Sequence, residues 1–133
     1  NGMPADGRDF SGWFYSRDHN HGVSAFGEHL GIGGKSGHTG KLVLQVGEAQ
    51  FAGKTELPRW TWQHIALVRK GGKALVYVNG TLDLEATAPA VKIPSLFLAG
   101  RSDHADTWEG RLDEVAVFGK ALNAEEIAKL SLK

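Results

Sequence analysis

The chain is predicted to fold as a layered, antiparallel all-β domain, and three observations lead there. From Trp62 to Lys70, period-two alternation puts Ile65 and Leu67 on one face and Trp62, Ala66 and Val68 on the other, so both faces are largely apolar. A strand of that kind belongs inside a layered structure rather than on a one-sided sheet in water. Second, tight-turn signals follow at once: Lys70-Gly71-Gly72-Lys73, then Asn79-Gly80, with Lys73–Val78 as the return strand and Thr81–Ala86 as the third. These strands make an antiparallel meander. Third, 18 glycines among 133 residues suit many short strands joined by tight turns, and the length is that of a single domain, 1–133.

In chain order, Asn1–Asp9 is polar and turn-rich, and strand character begins at Phe10 in Phe10-Ser11-Gly12-Trp13-Phe14-Tyr15. Trp13 reads as core first and as a ligand platform second. Arg17–Gly22 is a charged loop, Val23–Phe26 and Leu30–Ile32 are short strands, and Gly31, Gly33, Gly34, Gly37 and Gly40 make the next segment a loop. Lys41–Val46 alternates clearly, and Ala49–Lys54 follows as another strand. Pro58 confines 57–59 to a connection or an edge. After the meander, Ser95–Gly100 is a strand, Arg101–Trp108 a loop and Gly110–Phe118 the last strand. A short helix closes the chain. Asn123 is its N-cap, Glu126 the capping-box partner, Leu122 and Ile127 the hydrophobic staple, and Ile127 and Leu130 share the packed face.

Two ordered runs carry a resemblance. WQHIALVRKGGKALVYVNG, through Trp62, His64, Tyr77, Val78, Asn79 and Gly80, is similar to the central signature of the concanavalin A-like, laminin G-like jelly-roll domains, and GRLDEVAVFGKALNAEEIAKL is similar to their closing strand and helix. The resemblance implies a β-sandwich, an extracellular, periplasmic or cell-surface setting, and a non-catalytic recognition role. Carbohydrate is the first ligand class; a protein partner, or a spacer role within a larger protein, is the alternative. Such domains usually carry opening strands before the one placed here at Phe10. Without them the closing strand Gly110–Phe118 would expose an apolar edge, to be covered by Asn1–Asp9, by the helix, or by a partner chain in self-association.

Charge and composition narrow the partners further. Fifteen basic and fifteen acidic residues cancel, which removes the electrostatic case for nucleic acid or an anionic membrane, and no apolar run approaches the roughly 20 residues that span a bilayer. The absence of cysteine excludes disulfides and thiolate metal sites. With no basic and apolar leader at Asn1-Gly2-Met3-Pro4, the chain reads as either cytoplasmic or, the favoured reading, a mature or excised piece of a larger protein.

Glycan hydrolysis on this fold uses acids two apart on one strand, and Glu109, Arg111 and Asp113 place an arginine where the middle acid belongs. No catalytic residue is therefore assigned. His19 and His21 form a His-x-His pair near Asp18 that lacks a further ligand, and loop histidines of this kind are ordinarily solvated. His64 reads as structural, its ring nitrogen satisfying a buried backbone group. No cofactor is assigned; the resemblance makes calcium the ion to test, with Asp103, Asp106 and Asp113 as its candidate ligands, although carboxylates on glycine-rich loops are common without an ion and the family's upstream acidic loop residue has no counterpart here. Ligand-binding candidates are the loop aromatics and planar polar groups Tyr15, Arg17, Trp60, Arg101, Asp103 and Trp108, with Trp60 and Trp108 alternatively capping the core.

Overall fold

The computed structural model describes residues 10–17, 27–33, 38, 40–47, 49–58, 61–88, 96–98 and 111–132. Eight strands and one helix run in the order β1 (Phe10–Arg17), β2 (Glu28–Gly33), β3 (Lys41–Val46), β4 (Ala49–Glu56), β5 (Ile65–Lys70), β6 (Lys73–Val78), β7 (Thr81–Thr87), β8 (Phe97–Leu98) and α1 (Ala124–Ser131). They form a five-stranded sheet ordered β4-β3-β2-β1-β8 and a three-stranded sheet ordered β5-β6-β7. All pairings are antiparallel. The smaller sheet is the expected meander.

Both of its turns are set by residues that tolerate positive φ. Gly71 and Gly72 sit at 55° and 77°, and Asn79 and Gly80 at 49° and 84°, the type I′ pattern that matches the twist of a hairpin. The register follows from the turns. Ile65 opposes Val78, Leu67 opposes Val76 and Arg69 opposes Ala74, which puts those residues on the face turned toward the other sheet. There they meet Leu30 and Ile32 of β2 and Leu42 and Leu44 of β3, and with Leu84 and Ala86 of β7 they make the main core. On the opposite face, Val68 and Tyr77 pack with Ile127 of α1, joined by Ala66, Leu75 and Leu122. The helix thus covers the outside of the small sheet.

The helix cap is the one expected. Asn123 Oδ1 accepts from the Glu126 N–H at 2.8 Å and Glu126 Oε1 accepts from the Asn123 N–H at 3.2 Å, so two otherwise orphaned donors are satisfied, worth about 1 kcal/mol for such a cap. Ile127 is fully buried and Leu130 half-buried.

Four expectations are corrected. Trp62 does not lie in the strand: β5 starts at Ile65, because its partner strand β6 ends at Val78 and turns at Asn79-Gly80, so the ladder stops there among the described residues. Trp62 is instead 62% exposed. Ile65 and Leu67 are half-buried rather than enclosed as expected of a strand inside a layered structure, since β5 is an edge of its sheet among the described residues, while Val76 and Val78 on the central strand β6 are buried. The segment expected as a closing strand is not one. Residues 111–118 carry no helix or strand, and Glu114 at φ 50°, with its N–H held by Asp113 Oδ1 at 2.8 Å, breaks the alternation that a ladder would require. Finally, the His64 ring does not serve a backbone group. Its Nδ1 is buried without a hydrogen-bond partner, whereas its backbone N–H and C=O both pair with Asn79.

The last sheet strand is short, with Phe97 and Leu98 opposite Ser16 and Tyr15. Val23–Phe26 lies outside the described residues.

Candidate functional site

Polar side chains gather in the described structure at four places, and their chemistry differs. The first is the seam between the sheets. A register shift between Trp13 and Tyr15 sets Tyr15 opposite Leu30 and Arg17 opposite Glu28, so Tyr15, Arg17 and Glu28 share the inward face. Tyr15 Oη donates to Glu28 Oε2 at 2.7 Å. Across the gap, Arg69 Nη1 of β5 lies 3.0 Å from Glu28 Oε1, an ion pair that sits off the hydrogen-bond axis. Burial first, then the Glu28 charge and hydrogen bond, push the Tyr15 phenol well above its ordinary value, against a smaller opposing effect of Arg17. The phenol stays protonated and committed to Glu28. This constellation brings together two of the expected binding residues, Tyr15 and Arg17, but uses the Tyr15 hydroxyl as a structural donor.

The second place is the other face of the same hairpin. Ser16 Oγ and His29 Nδ1 are 2.9 Å apart, and the Trp13 and His29 rings stand 5.5 Å apart at 48°. A hydroxyl beside an imidazole has the makings of a nucleophile and its base. Both residues are fully buried, so no substrate reaches them, and the pair satisfies polar groups inside the fold. Sequence reasoning missed His29 because it began this strand at Leu30; a strand extended back to Glu28 would have placed it.

The third place is a bulge in β7. Val76 opposes Leu84 while Tyr77 opposes Leu82, which makes Asp83 the extra residue and turns its side chain toward β4. Asp83 Oδ1 accepts from the Thr55 N–H at 3.0 Å, and Oδ2 is buried with no hydrogen-bond partner. It lies over Gly53, where a Cβ would run into the carboxylate. A cavity of about 290 Å³ opens beside it, lined by Ala52, Lys54, Leu82, Asp83, Leu84 and Glu85.

The fourth place is the start of β5. Trp62 stands largely in solvent, and the residues that follow it carry two planar amides whose positions are fixed: Asn79 Nδ2 donates to Gln63 Oε1 at 2.7 Å, and Asn79 Oδ1 accepts from the His64 N–H at 2.9 Å. An exposed indole face beside oriented amides can stack on a sugar ring and hydrogen-bond its hydroxyls.

Of the other expected residues, Trp60, Arg101, Asp103, Asp106 and Trp108 lie outside the described residues. Asp113 is exposed and its carboxylate holds the Glu114 N–H; among the described residues no group of three or more His, Cys, Asp or Glu could hold a metal ion.

Comparison with known proteins follows the same lines. The chain is similar over 90% of its length to residues 221–444 of an S-layer domain-containing protein from Clostridium thermocellum, with a TM-score of 0.50 and 18% identity, and it spans 63% of that chain. At that identity the likeness is one of fold. None of the curated proteins compared with the chain matches it. The model of the laminin G 3 family, described as the concanavalin A-like lectin/glucanases superfamily, matches residues 8–128. With its two antiparallel sheets and closing helix, the chain belongs to that family of jelly-roll β-sandwiches.

Proposed function

We propose that this domain is a non-catalytic recognition module of a cell-surface protein and that it binds carbohydrate on Trp62. The observation that carries the proposal is the exposure of Trp62, 62% of a residue that sandwich folds ordinarily bury, one position before Gln63, whose amide Asn79 holds. Leaving so large an apolar face in water is costly unless something covers it. A pyranose does so with its C–H face, while its hydroxyls meet the amides. The fold likeness to a protein named for its S-layer domain supports the cell-surface setting. A non-enzymatic role is supported by the commitments of the polar groups: Tyr15 and Arg69 engage Glu28, and Ser16 engages a buried His29.

A glycan array is the first experiment. Binding to a defined class of glycans supports the proposal, and an array blank throughout contradicts it. Calcium added during the array tests the Asp103, Asp106 and Asp113 expectation, with stronger binding as the supporting result. Arg101, Asp103, Trp60 and Trp108 would widen the site if their alanine variants weaken the same glycans. A second reading, a protein partner, is favoured by the apolar side chains that residues 112–118 leave in solvent.

A further inference from the structure

The orientation of the two amides ahead of β5 follows from a single backbone group. The His64 N–H can only donate, so the Asn79 atom 2.9 Å from it is Oδ1, which turns Asn79 Nδ2 toward Gln63. That nitrogen can only donate as well. The Gln63 atom 2.7 Å from it is therefore Oε1, and Gln63 Nε2 is the end of the amide left over. Asn79 is pinned from both sides: its own N–H donates to the His64 carbonyl at 2.8 Å, and its φ of 49° belongs to the turn.

Each amide oxygen thus has a partner within the chain, while both hydrogens of Gln63 Nε2 and one of Asn79 Nδ2 have none among the described residues. The pair presents donors. A ligand group that answers them is an acceptor with no proton of its own, either a carboxylate or an amide carbonyl. A carboxylate is best matched by a cation, and residues 61–64 and 79–81 contain no lysine or arginine. A neutral carbonyl suits neutral amides. The acetamido group of an N-acetylated sugar carries such a carbonyl together with a methyl, which adds apolar area for the exposed indole one residue before Gln63. A hydroxyl in its place brings no methyl and carries a proton that the pair has no free oxygen atom to receive.

We propose, resting on the reading of Trp62 as a carbohydrate platform, that the sugar this domain prefers is N-acetylated and that its acetamido carbonyl accepts from Gln63 Nε2. Asn79 is the positioning residue. It touches no part of the acetamido group in this account and acts by holding the Gln63 oxygen, which leaves the nitrogen for the ligand.

Titration calorimetry with the β-1,4-linked trisaccharide of N-acetylglucosamine and with cellotriose, which has a hydroxyl in place of each acetamido group, tests it. The native chain should bind the acetylated sugar at least roughly tenfold more tightly. Gln63→Glu keeps an oxygen for Asn79 Nδ2 and replaces the free hydrogens by an acceptor, so the ratio of the two affinities should fall to near one at an unaltered melting temperature. Asn79→Asp keeps the bond to His64 but offers Gln63 an oxygen, which turns the Gln63 oxygen toward the ligand and should lower the same ratio. A merely structural Asn79 would weaken both sugars alike and leave the ratio unchanged, which contradicts its positioning role. Equal native affinities, or a preference that survives in folded Gln63→Glu, overturn the proposal; loss of all binding in Trp62→Ala would still leave the platform standing. A chain that binds neither trisaccharide overturns it too, and the glycan array then decides the platform separately.

Discussion

Glu28 of β2 and Arg69 of β5 form an ion pair across the interior between the two sheets, with Oε1 and Nη1 3.0 Å apart and the carboxylate fully buried. Its other oxygen is taken by Tyr15. Removing one partner of a buried pair leaves a charge without compensation. Arg69→Met should therefore cost roughly 2 to 4 kcal/mol in the urea midpoint, and adding Glu28→Gln should recover part of it. Equal and additive losses would show that the pair carries no coupling.

Tyr15 gives the fold an alkaline limit. Its phenol is raised in the folded state above the ordinary value of 10.0, chiefly by burial and secondly by Glu28, so the folded chain holds that proton more tightly than the unfolded one. The resulting stability is fully present below about pH 10 and declines as pH rises above it toward the folded value. Tyr15→Phe should flatten that decline when unfolding is followed against pH. An unchanged slope would remove Tyr15 as its source.

At the β4–β7 junction, Gly53 makes room for Asp83. Gly53→Ala places a methyl against the carboxylate, and a loss of roughly 1 to 3 kcal/mol is expected in thermal or urea unfolding. With Asp83→Ala already present, the same change should cost much less. Additive effects would contradict the contact.

Much of the fold was legible because the relevant signals are local. Gly71-Gly72 and Asn79-Gly80 announce their turns by backbone preference alone, and the Asn123 cap announces its helix. Asn79 shows where legibility stops. The turn was readable, but its side chain also holds His64 and Gln63, so Asn79→Ala should cost roughly 1 to 2 kcal/mol while Asn79→Asp retains the acceptor. Trp62, Ile65 and Leu67 were placed by alternation as if β5 had neighbours on both sides. Alternation reports faces and is silent on edges, which depend on what lies beside a strand. For the same reason the apolar pattern of 111–118 read as a strand, though a strand exists only where a ladder partner does. The buried polar clusters were the least legible part: Glu28, His29 and Asp83 are brought into play by a bulge, a strand start and a sheet junction that composition does not encode.

The central claim is that Trp62 is the ligand platform, and titration calorimetry of the strongest array glycan against the native chain and Trp62→Ala tests it most directly. Because Trp62 is exposed, the variant should keep its fold and melting temperature. Loss of at least roughly tenfold in affinity is expected, the equivalent of about 1.4 kcal/mol of stacking and contact. Binding of the same glycan with unchanged affinity by a folded Trp62→Ala chain would contradict the account.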